Sequence, residues 1–88
     1  VKSSFLKSFE RDLRKIRDPA VLNEVRSAIL GIDEAQELRS IPHLKKLSGG
    51  GPYFRIRVGE YRIGLRVDGG TVTFVRLLPR RDIYRYFP

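Results

Sequence analysis

The chain has 88 residues with no cysteine and one histidine, which sets it at the size of one domain and excludes a disulfide framework, thiolate metal sites and an ordinary zinc site. Eighteen Lys and Arg against ten Asp and Glu give a net charge of +8, which favours a polyanionic partner. Residues 1–18 contribute +3, residues 19–40 contribute −2 and residues 41–88 contribute +7, and all eight basic residues from Tyr53 onward are arginine, whose planar fork suits phosphate better than an ammonium does.

Phe5, Leu6, Phe9, Leu13 and Ile16 recur near helical spacing with Lys7, Arg11, Arg14 and Lys15 between them, so the first element is an amphipathic helix, with Ser3 or Ser4 as its N-cap. Asp18-Pro19 then supplies an N-cap followed by proline at the first helical position, and Leu22, Val25, Ile29 and Ile32 continue one apolar face of a second helix. Gly31 weakens its end, Asp33 to Leu38 reads as an irregular turn or a short helix, and Pro42 breaks what remains.

Ser48-Gly49-Gly50-Gly51-Pro52 is a connector, after which the apolar period changes from 3.6 to 2. Three strands are expected, Tyr53 to Val58, Tyr61 to Val67 and Thr71 to Leu77, joined by hairpin turns at Gly59-Glu60 and Asp68-Gly69-Gly70. The expected fold is a single α+β domain over residues 1–88, with two N-terminal helices packed on one face of a small, mainly antiparallel sheet. No apolar run approaches the roughly 20 residues that span a bilayer, and nothing at the N-terminus reads as a secretory signal, so a soluble protein of the cytoplasm is expected.

Alternation assigns Phe54, Ile56 and Val58 to one face of the first strand and Tyr53, Arg55 and Arg57 to the other. A two-residue turn at Gly59-Glu60 pairs Val58 with Tyr61, Arg57 with Arg62, Ile56 with Ile63 and Arg55 with Gly64. The apolar residues then share a face, at the cost of Arg57 directly opposite Arg62 with Arg55 and Arg66 nearby, an arrangement that repels across the ladder. Solvated arginines are common on one-sided sheets, but those faces mix signs, whereas here no Asp or Glu falls on the arginine side from Tyr53 to Val67. An anion is expected there, and Gly64 opposite Arg55 leaves room for a base or a backbone to approach. The closing run Pro79-Arg80-Arg81-Asp82-Ile83-Tyr84-Arg85-Tyr86-Phe87-Pro88 interleaves guanidinium groups with rings, a mixture that suits RNA. Tyr86 and Phe87 are expected to pack on the core, leaving Tyr84 as the candidate functional ring.

The two helices, Leu47-Ser48-Gly49, the hairpin Tyr53-Phe54-Arg55-Ile56-Arg57-Val58-Gly59-Glu60-Tyr61-Arg62-Ile63 and the closing Arg80-Arg81-Asp82-Ile83-Tyr84 together resemble the RelE/ParE superfamily of bacterial toxins. The resemblance spans almost the whole chain. Members usually begin with a strand ahead of the first helix, for which this sequence leaves little room. The resemblance implies the toxin of a type II toxin–antitoxin system which, in the RelE-like branch, is an endoribonuclease that enters the ribosomal A site and cuts translated mRNA. It implies catalytic roles for Arg55, Arg57, Arg62, Arg80 and Tyr84, no cofactor or metal, and a cognate antitoxin with an acidic tail. Many relatives carry histidine or lysine just before the late arginine, where this chain has Pro79.

The implied chemistry is attack of a ribose 2′-hydroxyl on its neighbouring phosphate, which needs a base, an acid and positive charge for the transition state. Arginine titrates too high to be a base near neutrality, so Arg62 and Arg80 are electrostatic stabilisers. Tyr84 among arginines is the candidate base, or the ring that stacks on mRNA. Glu60 and His43 read as a turn residue and a surface residue. Lys45, Lys46, Arg66, Arg81 and Arg85, with Lys7, Arg11, Arg14 and Lys15 of the first helix, are candidate contacts to RNA phosphates. The alternatives are a ParE-like inhibitor of DNA gyrase and a basic nucleic-acid-binding module without cleavage.

Overall fold

A computed structural model describes residues 1–88, and it opens with a strand where the apolar spacing gives a helix. β1, Lys2–Phe5, lies parallel to β5, Thr71–Pro79, pairing Lys2 with Thr71 through Phe5 with Phe74. Ser3 and Ser4 therefore cap no helix. Ser4 Oγ and Thr73 Oγ1 lie 2.9 Å apart, Ser3 Oγ donates to Asp33 Oδ1 at 2.9 Å, and the Phe5 ring stacks on Phe74 with centroids 4.7 Å apart. These serines serve the strand because their cross-strand partners lie some seventy residues away, beyond the reach of local spacing. α1 is correspondingly short, Lys7–Arg14, with Leu6 at its N-cap and no side-chain cap.

α2, Pro19–Glu34, begins as expected: the Asp18 carboxylate accepts from the Ala20 amide at 2.9 Å and Pro19 takes the first turn, a cap worth about 1 kcal/mol. The helix continues three residues past Gly31, and a 3₁₀ turn at Leu38–Ser40 follows. β2, Leu44–Lys46, β3, Tyr53–Val58, and β4, Tyr61–Asp68, complete with β1 and β5 a five-stranded sheet in the order β1-β5-β4-β3-β2, antiparallel except for the β1–β5 pair. α3, Ile83–Tyr86, ends the chain's regular structure.

The core lies between the helices and one sheet face. Phe9 of α1 and Val25 and Ile32 of α2 pack against Ile56, Val58, Ile63, Leu65, Val72, Phe74 and Leu77, all buried. The β3–β4 register is the one that the two-residue turn dictates, with Arg57 opposite Arg62 and Arg55 opposite Gly64. Gly59 meets that turn's demand with a φ of 58°.

Where β1 ends, α1 takes over the edge of β5. The β4–β5 ladder slips between Gly64 and Leu65, which pair with Arg76 and Phe74 and leave Val75 as a bulge. Ser8 Oγ donates to the Val75 carbonyl at 2.6 Å, and the buried Asp12 carboxylate accepts from the Leu77 amide at 2.9 Å and from Arg76 Nε at 2.7 Å and Nη2 at 3.2 Å. Asp12 thus stands in for a missing strand, and its hydrogen bonds hold the Arg76 guanidinium above its usual pKa.

Candidate nucleic-acid interface

The face of the sheet turned away from the core carries Arg55 and Arg57 on β3 and Arg62 on β4 by strand alternation. Arg62 is nevertheless only 8% exposed. Its Nη1 donates to the carbonyls of Gly59 at 3.0 Å and Tyr61 at 2.9 Å, so the guanidinium is pinned by its own hairpin turn. Burial pushes its pKa down, and the positive charges of Arg55, Arg80 and Arg57 push it further, against a smaller opposing effect of Tyr84. These are the same five residues that the family resemblance puts forward, and the structure brings four of them within electrostatic reach of the fifth, Arg62.

No carboxylate is among the charges acting on Arg62, and Glu60 lines a hollow with Arg80 at the hairpin tip. Arg55 Nε is buried with no hydrogen-bond acceptor, and an unmet buried donor costs about 1–3 kcal/mol. The arrangement can therefore take up anionic oxygens, and the field of four guanidinium groups would stabilise a phosphate that gains charge. Arg80 enters from β5: the strand runs through Pro79, paired with Tyr61, and the Arg80 amide donates to the Glu60 carbonyl at 2.8 Å. Pro79 has no proton to give or take, so the place before the late arginine holds no acid or base.

α3 covers part of the arginine face. Phe87 is buried over Gly64, where an added Cβ would lie 2.8 Å from the ring carbons, and it meets Tyr53 edge-on at 5.6 Å. The opening expected at Gly64 is filled by this ring. Ile83 is fully buried beside it. Tyr86, expected to pack inward, is instead 55% exposed, because a helix of four residues can turn only Ile83 and the following Phe87 toward the sheet. Tyr84 is 63% exposed and faces a cleft whose opposite wall is Lys45, Lys46, Leu47 and Ser48.

The remaining candidates separate. Lys45 lies opposite Arg55 and lines a groove with His43, Arg55 and Arg57. Arg81 lines a hollow with Glu60, Pro79 and Arg80 at the hairpin tip, and the Arg85 guanidinium sits 6.0 Å from the Tyr86 ring centre. Arg66 lies at the far end of β4, beyond Phe87, and pairs with Asp68 at 3.4 Å. That strand is one residue longer than the alternation suggested, and the extra residue supplies the carboxylate that the shorter reading lacked. Sequence reasoning missed β2, which at three residues is too short to show a period, and the Asp12–Arg76 pair, whose only local signal is an acid on an otherwise apolar helix face.

Residues 4–84 match the family described as the ParE toxin of type II toxin–antitoxin systems. The chain is 42% identical to Toxin RelE3 of Methanocaldococcus jannaschii over an alignment of 93 positions that spans all of both chains. Its fold is similar to that in the crystal structure of the RelB–RelE antitoxin–toxin complex from Methanococcus jannaschii, with a TM-score of 0.81 and 36% identity over 97% of this chain and 99% of that one. It is also similar to the toxin–antitoxin complex RelBE2 of Mycobacterium tuberculosis, with a TM-score of 0.71 and 29% identity over 90% and 96% of the two chains. Those likenesses cover both the sheet and the arginine-bearing hairpin, and the initial strand usual in such toxins is present here as β1, so the chain belongs to the RelE/ParE superfamily of type II toxins.

Proposed function

We propose that this toxin is a ribosome-dependent endoribonuclease that cuts translated mRNA in the A site. The observation that carries the reading is a buried Arg62 opposite Arg57 and beside Arg55 on the β3–β4 ladder, with Arg80 tied to the same hairpin turn and the charges of Arg80 and Tyr84 acting on Arg62. Arg55 and Arg57 hold the scissile phosphate, and Arg62 and Arg80 stabilise the charge that builds as the 2′-hydroxyl attacks and the 5′-oxygen leaves. Tyr84, exposed at the lip of the cluster, accepts the hydroxyl proton or stacks on a base of the mRNA. Lys45, Lys46, Arg81 and Arg85 surround the cluster as contacts to RNA phosphates, with Arg66 as an outlying one. The acid–base set is poor, and the ribosome supplies the rest of the rate by orienting the mRNA.

A cognate antitoxin with an acidic tail neutralises the arginine surplus, in line with the RelB partners named for two related toxins. No helix is long and apolar enough to cross a membrane, and a target on translating ribosomes places the activity in the cytoplasm. Primer extension on an mRNA in a purified translation system, with and without ribosomes, tests the reading. Wild type should give ribosome-dependent cuts that Arg80→Ala and Arg62→Ala abolish, with circular dichroism to check that the buried Arg62 site still folds. Intact mRNA in every lane overturns the reading, and a gyrase supercoiling assay then decides for the ParE-like alternative.

A further inference from the structure

Apart from Arg57, the residues of the largest cleft in the molecule are not used by the chemistry proposed above. β2 stops at Leu44 opposite Ile56, so Arg57 and Val58 have no strand beside them on that side, and α2 crosses the gap. The cleft left there, about 580 Å³, is lined by Asn23, Glu24 and Ser27 of α2, by His43, and by Arg57 and Gly59 of the hairpin. His43, the chain's single histidine, is its only non-glycine residue in the left-handed region, with φ at 63°.

His43 and Arg57 also line the neighbouring groove with Lys45 and Arg55. The two hollows share His43 and Arg57, so a strand of RNA lying along the arginines would have a path over the edge of β3 into the cleft. The chemistry of the walls changes on the way. Arginine gives way to a carboxylate, an amide and a hydroxyl, with Glu24 close enough to the hairpin that its Oε2 would sit 3.6 Å from a Cβ at Gly59. A carboxylate repels phosphate and accepts hydrogen bonds from base edges.

We propose that this cleft is a base-binding subsite for the nucleotide next to the scissile phosphate, an inference that rests on the RNA reading above. With Arg57 on the scissile phosphate at the mouth of the cleft, Glu24 takes the base edge of that nucleotide, with His43, Asn23 and Ser27 as adaptable partners. Because Glu24 only accepts, it favours adenine, cytosine and guanine, whose exocyclic amino groups donate. Uracil is disfavoured, since its one edge donor is flanked by two carbonyl oxygens that a carboxylate repels.

The direct test is a ¹⁵N NMR titration of the full chain with AMP, CMP, GMP and UMP, read separately from cleavage. The three amino-bearing nucleotides should shift the amides of Glu24, Ser27 and His43 and bind about fivefold more tightly than UMP, the size of one net hydrogen bond. Glu24→Gln, which donates as well as accepts, should remove the difference while keeping the shifts at His43. Shifts confined to Arg55, Arg62 and Arg80, or equal binding of all four nucleotides to wild type, overturn the subsite. Loss of ribosome-dependent cutting bears on the reading of function alone, because this titration detects nucleotide binding whether or not RNA is cut.

Discussion

Phe87 lies against Gly64 so closely that a methyl group there would come within 2.9 Å of three ring carbons. The contact fixes how α3, and with it Tyr84, stands over the arginine face. Gly64→Ala should expel the ring and destabilise the fold by about 1–3 kcal/mol, lowering Tm by several degrees. Phe87→Ala loses buried area but frees the site, so Gly64→Ala should cost little in that background. A thermal melt of the two single variants and the double variant checks this, and additive losses would mean that the ring does not rest on Gly64 in solution.

Arg57 faces Arg62 across the β3–β4 ladder, and Arg57 is the exposed member of the pair. Removing it relieves repulsion at a site with no packing to lose, so Arg57→Ala should keep or slightly raise Tm while RNA cleavage falls by at least tenfold. Low salt should widen the stability gain, because screening weakens the repulsion in wild type. A lower Tm for the variant would show that its aliphatic stem contributes more than its charge costs.

The lowered pKa of Arg62 carries a sign of its own. A folded-state pKa below the ordinary value means that folding penalises this cation, and the penalty operates throughout the neutral range because arginine stays charged there. An anion at the cluster offsets the penalty by opposing the repulsion from Arg55, Arg80 and Arg57. Sulfate should therefore raise Tm by roughly 5 °C or more at ten times its dissociation constant, compared with sodium chloride of equal ionic strength. Arg62→Gln should reduce the difference, since Arg55, Arg57 and Arg80 remain, and differential scanning fluorimetry reads both.

Asp12 is 6% exposed and receives three hydrogen bonds from Arg76 and Leu77. Asp12→Ala leaves the Leu77 amide and a partly buried guanidinium without an acceptor, so a loss of about 3 kcal/mol is expected in a urea titration. Asp12→Asn keeps one acceptor oxygen and should lose less.

The hairpin that carries Arg55, Arg57 and Arg62 was legible because its register follows from a two-residue turn and an alternating apolar pattern, both local. β1 was not, since Ser3 and Ser4 look like caps until Thr71 to Phe74 are set beside them. The same limit hid the fate of Gly64. Sequence shows that the position is small and faces the arginines, but only the folded chain shows that Phe87 fills it. Tyr86 was misjudged for a related reason, because which side of a four-residue helix meets the sheet is decided by Ile83 and Phe87.

Arg62 is tied at Nη1 to two carbonyls of the turn that it follows. A free arginine side chain loses up to about 2 kcal/mol of rotamer entropy when it is immobilised on a ligand. Here that loss is taken during folding, so an arriving phosphate meets a cation with no swing left to arrest. The affinity of the face for anions is set in advance by a β-turn.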